Sequence, residues 1–153
     1  MITDRTAEIV EAARVARKKL LDGAAYSSLT EAEKTALGKG ACSIDTLNRI
    51  EAAADTLADA LEAAGYKRPS VDVVNGWLYD DYFSESDLLR LFDNARLIRA
   101  AYVVLPTTPS IPSAAYHWQA FNALEQNLQD VSLLLDNMDA IKPYSGEFFG
   151  GEL

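Results

Sequence analysis

The feature that most constrains the fold of this chain is a phrase that opens a helix and is then echoed twice. It stands first at Ser43-Ile-Asp-Thr-Leu-Asn-Arg-Ile-Glu51, and related phrases follow at residues 84–91 and 121–125. After the first phrase, apolar residues recur every three or four positions until Gly65, which predicts an amphipathic helix. The phrases are 41 and then 33 residues apart, and this unequal spacing rules out a regular solenoid.

Two helices are predicted before this phrase. Residues 4–22 have apolar positions at helical spacing and basic residues near their end, where cations suit the helix dipole. Thr30 and Glu33 have the spacing of a capping box, in which each side chain bonds the backbone N–H of the other residue. The short helix that follows is expected to break at Gly38 and Gly40.

Two long helices are predicted after it, over residues 84–102 and 118–138, where the apolar spacing recurs. Ser84 and Asp87 again have the spacing of a capping box. We therefore expect an all-α fold, an antiparallel bundle of about four to five helices, because short loops favour antiparallel neighbours.

Two connecting segments have signals of their own. Residues 71–79 place Asn75-Gly76 between short apolar runs, which is the strongest local signal for a β-hairpin, and a short hairpin is one of two readings of this segment. In residues 105–113, three prolines prevent helix continuation and predict a stiff, extended connection.

The C-terminal segment is expected to leave the bundle. Lys142-Pro143 should stop the last helix, which divides the chain into a helical domain of residues 1–141 and an extended arm of residues 142–153. Tyr144, Phe148 and Phe149 on this arm are candidate interaction residues, because exposed aromatic groups mark contact sites. The alternative is that they fold back over the bundle.

Composition excludes several classes of function. The net charge of -9 disfavours a nucleic-acid partner, whose phosphates would repel the surface. No stretch reaches the ~18 apolar residues that a membrane span requires. The single cysteine, Cys42, and the single histidine, His117, suggest neither a metal site nor a catalytic dyad, so we expect no cofactor, no small-molecule ligand and no enzymatic activity.

Two polar pairs have the spacing of one helical turn, Asn48 with Glu51 and Asn122 with Glu125. Each pair could clamp a neighbouring loop, and an intramolecular clamp is favoured over a contact between subunits. The acidic face of residues 45–62 is expected to be solvated or to lie against the basic first helix.

Taken in order, several segments resemble a family of small proteins from the tail gene clusters of phages and prophages of Gram-positive gut bacteria. The similar segments run nearly from end to end of the chain: Arg5-Thr6, residues 29–34, Lys39-Gly40-Ala41, residues 45–51, 105–112, 121–128 and 144–152. One departure is Cys42-Ser43-Ile44, where family members tend to have an Asn-aromatic pair. The resemblance implies a structural role in a virion tail and gives no catalytic residues.

Two functional hypotheses follow, one from this resemblance and one from the acidic surface. The first is a non-enzymatic structural component of a phage tail or baseplate-like assembly, synthesised in the host cytoplasm and then located in the virion, with other tail proteins or further copies of itself as partners. The second is an acidic intracellular adaptor or inhibitor that sequesters a basic partner protein. An enzyme is the weakest reading.

Overall fold

The computed structural model describes residues 1–40, 42–78 and 80–149, with side chains described as far as Met138. Within these ranges the chain forms five α-helices and contains no strand. The helices are α1 (Ala7–Leu21), α2 (Glu31–Gly40), α3 (Ile44–Ala63), α4 (Glu85–Ala101) and α5 (Trp118–Phe149), with a 3₁₀ turn at Tyr26–Ser28. The predicted all-α class and number of helices are confirmed.

Local capping chemistry fixes the starts of α3 and α4. The Ser43 hydroxyl accepts a hydrogen bond from the Thr46 N–H at the start of α3. Ser84 and Asp87 form the predicted capping box at the start of α4, each side chain accepting from the backbone N–H of the other residue. These bonds satisfy N–H groups that the first turn of a helix leaves unpaired.

Helices α1 and α2 pack against each other as an antiparallel hairpin. Thr30 and Glu33 form the predicted capping box at the start of α2. The helix continues through Gly38, where a break was predicted, and ends at Gly40, so the prediction is wrong for Gly38 and holds for Gly40. Glycine at position 40 allows close packing on α1, since a Cβ atom there would lie 2.7 Å from the Ile9 carbonyl oxygen.

Helices α3, α4 and α5 form the main body and share one direction. Near their starts, Arg90 of α4 bonds Glu51 of α3 at 2.6 Å, and Phe92 of α4 packs edge-to-face on Phe121 of α5 with 5.9 Å between ring centroids. The early turns of all three helices therefore lie at the same end of the body.

The ends of α3 and α4 lie level with Met138 of α5. Tyr66, just after α3, and Tyr102, at the end of α4, pack ring against ring at 4.9 Å between centroids. Both tyrosine hydroxyls contact the sulfur of Met138 on α5. The three helices are thus parallel, and the antiparallel arrangement predicted from the sequence describes α1 and α2 but not this body.

Parallel neighbours need long connections, and the chain provides two. The first return segment, residues 64–84, runs back along α3 and α4, and the second return segment, residues 102–117, runs back along α4 and α5. Extended chain advances roughly 3.3 Å per residue against 1.5 Å in a helix, so either segment can span its helix. The antiparallel expectation assumed short loops, which these segments are not.

The first return segment does not form the β-hairpin predicted for residues 71–79. Gly76 has the positive φ of 83° that favours glycine, but the described residues 71–78 pair with no strand. Their backbone bonds to asparagine side chains of α3 and α4 instead, while Val71 and Val73 pack against the core. Helix side chains therefore supply the partners that a second strand would have supplied.

A continuous apolar core joins the three parallel helices. Trp77 of the first return segment closes it near the helix starts, packing edge-to-face on Phe83 at 5.4 Å between centroids. The buried helix residues are Leu47, Ile50, Ala54, Leu57 and Leu61 of α3, Leu88, Leu91, Phe92, Ala95 and Ile98 of α4, and Ala120, Phe121, Leu124, Leu128, Val131 and Leu135 of α5.

Helix α5 extends from Trp118 to Phe149 and passes Lys142-Pro143, where the sequence predicts its end. The backbone of residues 142–149 is therefore helical in this structure and not extended. The side chains of Tyr144, Phe148 and Phe149 lie outside the described residues, as do residues 150–153. Their interaction role, and the division of the chain at residue 141, stay predictions.

Candidate functional site

Asparagine side chains hold extended segments against the helices, an arrangement we call an asparagine clamp. At Asn48 of α3, the Trp77 N–H donates to Oδ1 at 2.7 Å, and Nδ2 donates to the Trp77 carbonyl oxygen at 3.1 Å. Asn122 of α5 bonds Arg5 in the same way, at 3.3 and 2.9 Å. A side-chain amide has a donor beside an acceptor, so it pairs with a backbone as a neighbouring strand would.

Two further asparagines do similar work and were missed by the sequence analysis. Asn94 of α4 accepts from the Asp72 N–H at 2.9 Å and donates to the Asp72 carbonyl oxygen at 2.6 Å. Asn127 of α5 donates to the carbonyl oxygen of Pro109 at 2.9 Å, and proline has no N–H to complete the pair. The sequence did contain a signal for these two clamps. Asparagine is unfavourable in the interior of an apolar helix, so its presence there indicates that its side chain bonds a neighbouring segment.

The carboxylate of Glu125 is fully buried and joins three parts of the chain. It accepts from the Arg5 guanidinium at 2.6 Å and from the Ile2 N–H at 2.7 Å, both in the N-terminal segment. Arg49 of α3 donates to it twice, at 3.1 and 3.2 Å. Arg5 also donates to the Lys39 carbonyl oxygen at 2.9 Å, which attaches the α1–α2 hairpin to the body.

Glu51 of α3 has the equivalent place beside the first return segment. Arg90 of α4 donates to it twice, at 2.6 and 3.0 Å, and the Trp77 indole N–H donates at 3.3 Å. Desolvation lowers the Arg90 pKa, but the hydrogen bond and charge of Glu51 outweigh it and raise that pKa above its ordinary value. Arg90 therefore stays protonated. Its guanidinium also donates to the Asp72 carbonyl oxygen at 2.8 Å.

Both predicted pairs therefore bond segments of the same chain. Glu51 and Glu125 are each matched by arginine and further donors, and the described residues contain no buried side-chain polar atom without a partner. Buried ion pairs of this kind are strongly destabilised when one partner is removed, because an uncompensated charge remains. These ion pairs and hydrogen bonds fix the extended segments to the helices.

The acidic face of α3 contacts the first return segment and not the basic residues of α1. Arg68 donates to Asp59 at 2.8 Å and to Asp55 at 3.1 Å, with Glu62 at 4.0 Å. These carboxylates hold the start of the return segment on its helix. The side chains of Asp55, Asp59 and Glu62 are between 40% and 66% exposed, so the expectation of a solvated face is confirmed for them, whereas the described ion pairs include none between this face and α1.

The structure brings Cys42 and His117 to one apolar pocket of about 310 Å³, beside Tyr116 and Trp118. Although Cys42 as a residue is exposed, desolvation of its thiol raises the pKa to about 11. A thiol with so high a pKa is protonated at neutral pH and is a weak nucleophile. Nδ1 of His117 accepts from the Ala120 N–H at 3.1 Å, so this ring nitrogen caps α5.

No group of three or more histidine, cysteine, aspartate or glutamate side chains in the described part of the chain could hold a metal ion. Over the same part, none of the helices has the length and apolar character needed to cross a membrane.

The fold and its asparagine clamps define an all-α protein in which three parallel helices are connected by clamped return segments. Comparison with protein-family models, curated proteins and solved structures gives no match.

Proposed function

We propose that this protein is a non-enzymatic structural component of a phage or prophage tail assembly and that it acts through contacts with neighbouring proteins. The nearly full-length resemblance to a tail-cluster family supports the assignment to a tail assembly. The surface of the first return segment supports action through protein contacts. A rigid body with clamped segments suits this role, because a partner then meets a surface that is already ordered.

The observation that carries the proposal is the concentration of exposed apolar side chains in residues 69–89. Tyr82 is 86% exposed and Leu78 is 62% exposed, and Val74 and Leu89 are also exposed. Large exposed apolar groups gathered in one segment are typical of protein contact surfaces, and tyrosine is enriched among residues that dominate binding. We call these four exposed residues, which are close in sequence, the connector patch.

The test is incorporation into particles. Mass spectrometry of purified tails should detect the chain, and Tyr82→Ser should lower its amount per particle. Val103→Ser is the matched control, since Val103 is also exposed but lies in the second return segment. Purified tails without the chain would refute the tail role, and equal incorporation of both variants would refute the connector patch.

The second candidate is an acidic adaptor that sequesters a basic protein. Its support is the charge of the same segment, because residues 69–89 contain five acidic and no basic side chains. Such a surface should bind a basic partner tightly at low salt and weakly at high salt. The expected complex is a free 1:1 pair with a basic protein encoded nearby, and isothermal titration at two salt concentrations would measure it.

A further inference from the structure

Three parallel helices leave three grooves between them, and each return segment occupies one. The first return segment lies between α3 and α4, held by Asn48 and Asn94. The second lies between α4 and α5, where Arg99 and Asn127 both donate to the Pro109 carbonyl oxygen. The chain that follows a helix therefore occupies the groove between that helix and the next.

The third groove, between α5 and α3, is only partly occupied. The N-terminal residues fill the end near the helix starts, where the Ile2 N–H bonds Glu125. Beyond Met1 the groove continues as an open cavity of about 530 Å³. Its walls are mainly apolar and include Leu57 of α3 and Leu133 of α5.

The sequence of α5 up to Gly150 corresponds in register to α3 and the first return segment. Asn48 and Asn122, Glu51 and Glu125, Pro69 and Pro143, and Gly76 and Gly150 are each separated by 74 residues. Pro106 of the second return segment lies midway, 37 residues from each of the two other prolines. Pro69 and Pro106 follow α3 and α4, and Pro143 has the equivalent place in the sequence but lies within α5 in the structure.

We infer that the open part of the third groove is a binding site for this chain's own C-terminal segment, residues 142–149. In the structure this segment continues α5, and 11 residues of helix after Met138 lead about 16 Å away from the body. A return at Pro143 gives the segment a second arrangement, because proline lacks the N–H and sterically opposes the helix. Tyr144, Phe148 and Phe149 then supply apolar groups for the cavity.

This inference goes beyond the proposed tail function and does not depend on it. A disulfide test on the full-length protein examines it directly, in a Cys42→Ser background. Thr56→Cys places one thiol in the groove wall, and Ser145→Cys places the other in the C-terminal segment. In the control, Leu97→Cys on exposed α4 surface replaces the groove cysteine. A disulfide forms only when the two Cα atoms come within about 7 Å.

Oxidation is expected to join Thr56→Cys to Ser145→Cys at least tenfold faster than the control pair, since return of the segment brings them together while a continuous helix keeps them apart (about 1.4 kcal/mol in effective proximity). Pro143→Ala should slow this reaction at least about tenfold, because alanine restores the missing N–H and removes the steric clash by which proline opposes the continuous helix. Non-reducing electrophoresis and mass spectrometry measure both rates.

A disulfide within one chain supports the groove site, and so does a disulfide between chains, which would show the segment exchanged between two copies. Equal rates for the groove and control pairs would overturn the inference, as would a rate that Pro143→Ala leaves unchanged. Neither failure alters the amount of protein in purified tails, so the tail function is tested separately.

Discussion

Asn48 and Asn122, 74 residues apart, make the same pair of hydrogen bonds to the backbone of one residue, Trp77 in the first case and Arg5 in the second. One turn later, the carboxylates of Glu51 and Glu125 each accept a hydrogen bond from an arginine side chain. A segment that shifted along its groove would leave these buried groups unpaired, at a cost of about 1–3 kcal/mol for each. The asparagines therefore specify position as well as attachment.

The buried charge at Glu125 gives the first prediction. Glu125→Gln should lower the free energy of unfolding by about 3 kcal/mol, because Arg5 and Arg49 lose their shared carboxylate while the shape is kept. Urea unfolding followed by circular dichroism measures the change. Glu11→Gln is the control, since its ion pair with Arg14 is exposed and screened by solvent, so its loss should change the free energy of unfolding far less. Equal losses would contradict the prediction.

The contact between α1 and α2 gives a prediction of opposite sign at two glycines of one helix. Gly40→Ala should destabilise the protein by about 1–3 kcal/mol, because its Cβ would overlap the backbone of α1. Gly38→Ala meets no atom within 4 Å and should stabilise by about 0.5–1 kcal/mol through helix propensity. Thermal unfolding of both variants decides the matter, and a shift in the same direction would refute the packing argument.

The capping box of α4 predicts a pH dependence. Hydrogen bonds from the Ser84 hydroxyl and then the Ser84 backbone N–H hold the Asp87 pKa below its ordinary value. The unfolded chain therefore takes up this proton first, so the stabilisation is complete above about pH 4 and is lost as the pH falls through the folded pKa. Asp87→Asn should flatten the acid limb of stability against pH and cost about 1 kcal/mol at pH 7.

Urea midpoints between pH 7 and pH 3 provide the measurement for Asp87. Asp136→Asn is the matched control, an exposed position on α5, and should keep the wild-type slope. A control slope as flat as that of Asp87→Asn would show that the capping box is not the source.

The environment of Cys42 predicts slow alkylation. With a thiol pKa of about 11, the reactive thiolate is scarce at pH 8, so iodoacetamide should react about a hundredfold more slowly than with an ordinary thiol of pKa about 8.5. The rate should continue to rise with pH up to about 11. Urea-unfolded protein is the internal control and should react at the ordinary rate.

Features that depend on neighbouring residues were predictable from the sequence. The capping boxes at Thr30 and Ser84 and the helix start at Ser43 involve contacts within three residues, so spacing alone identifies them. The spacing of Asn48 with Glu51 and of Asn122 with Glu125 also indicated clamps, although it did not indicate the distant residues that they bond.

Features that depend on distant residues were not predictable. Arg5 pairs with a carboxylate 120 positions away, and no local pattern indicates that distance. The parallel direction of α3, α4 and α5 goes with bonds between return segments and helices, including the one that the Asp72 N–H donates to Asn94. The same kind of bond takes the place of the predicted β-hairpin. The backbone around Asn75-Gly76 bonds asparagine side chains of two helices and not a second strand.

The shared direction of the three body helices also determines where negative charge is favourable. Peptide dipoles that would cancel in an antiparallel bundle add here, with about half a positive charge at each helix start. Asp45, Glu85 and Asp87 lie in the first turns at that end, and Asp80 and Asp81 lie just before α4. The acidity around the starts of α3 and α4 is therefore the electrostatic counterpart of a body whose helices all point one way.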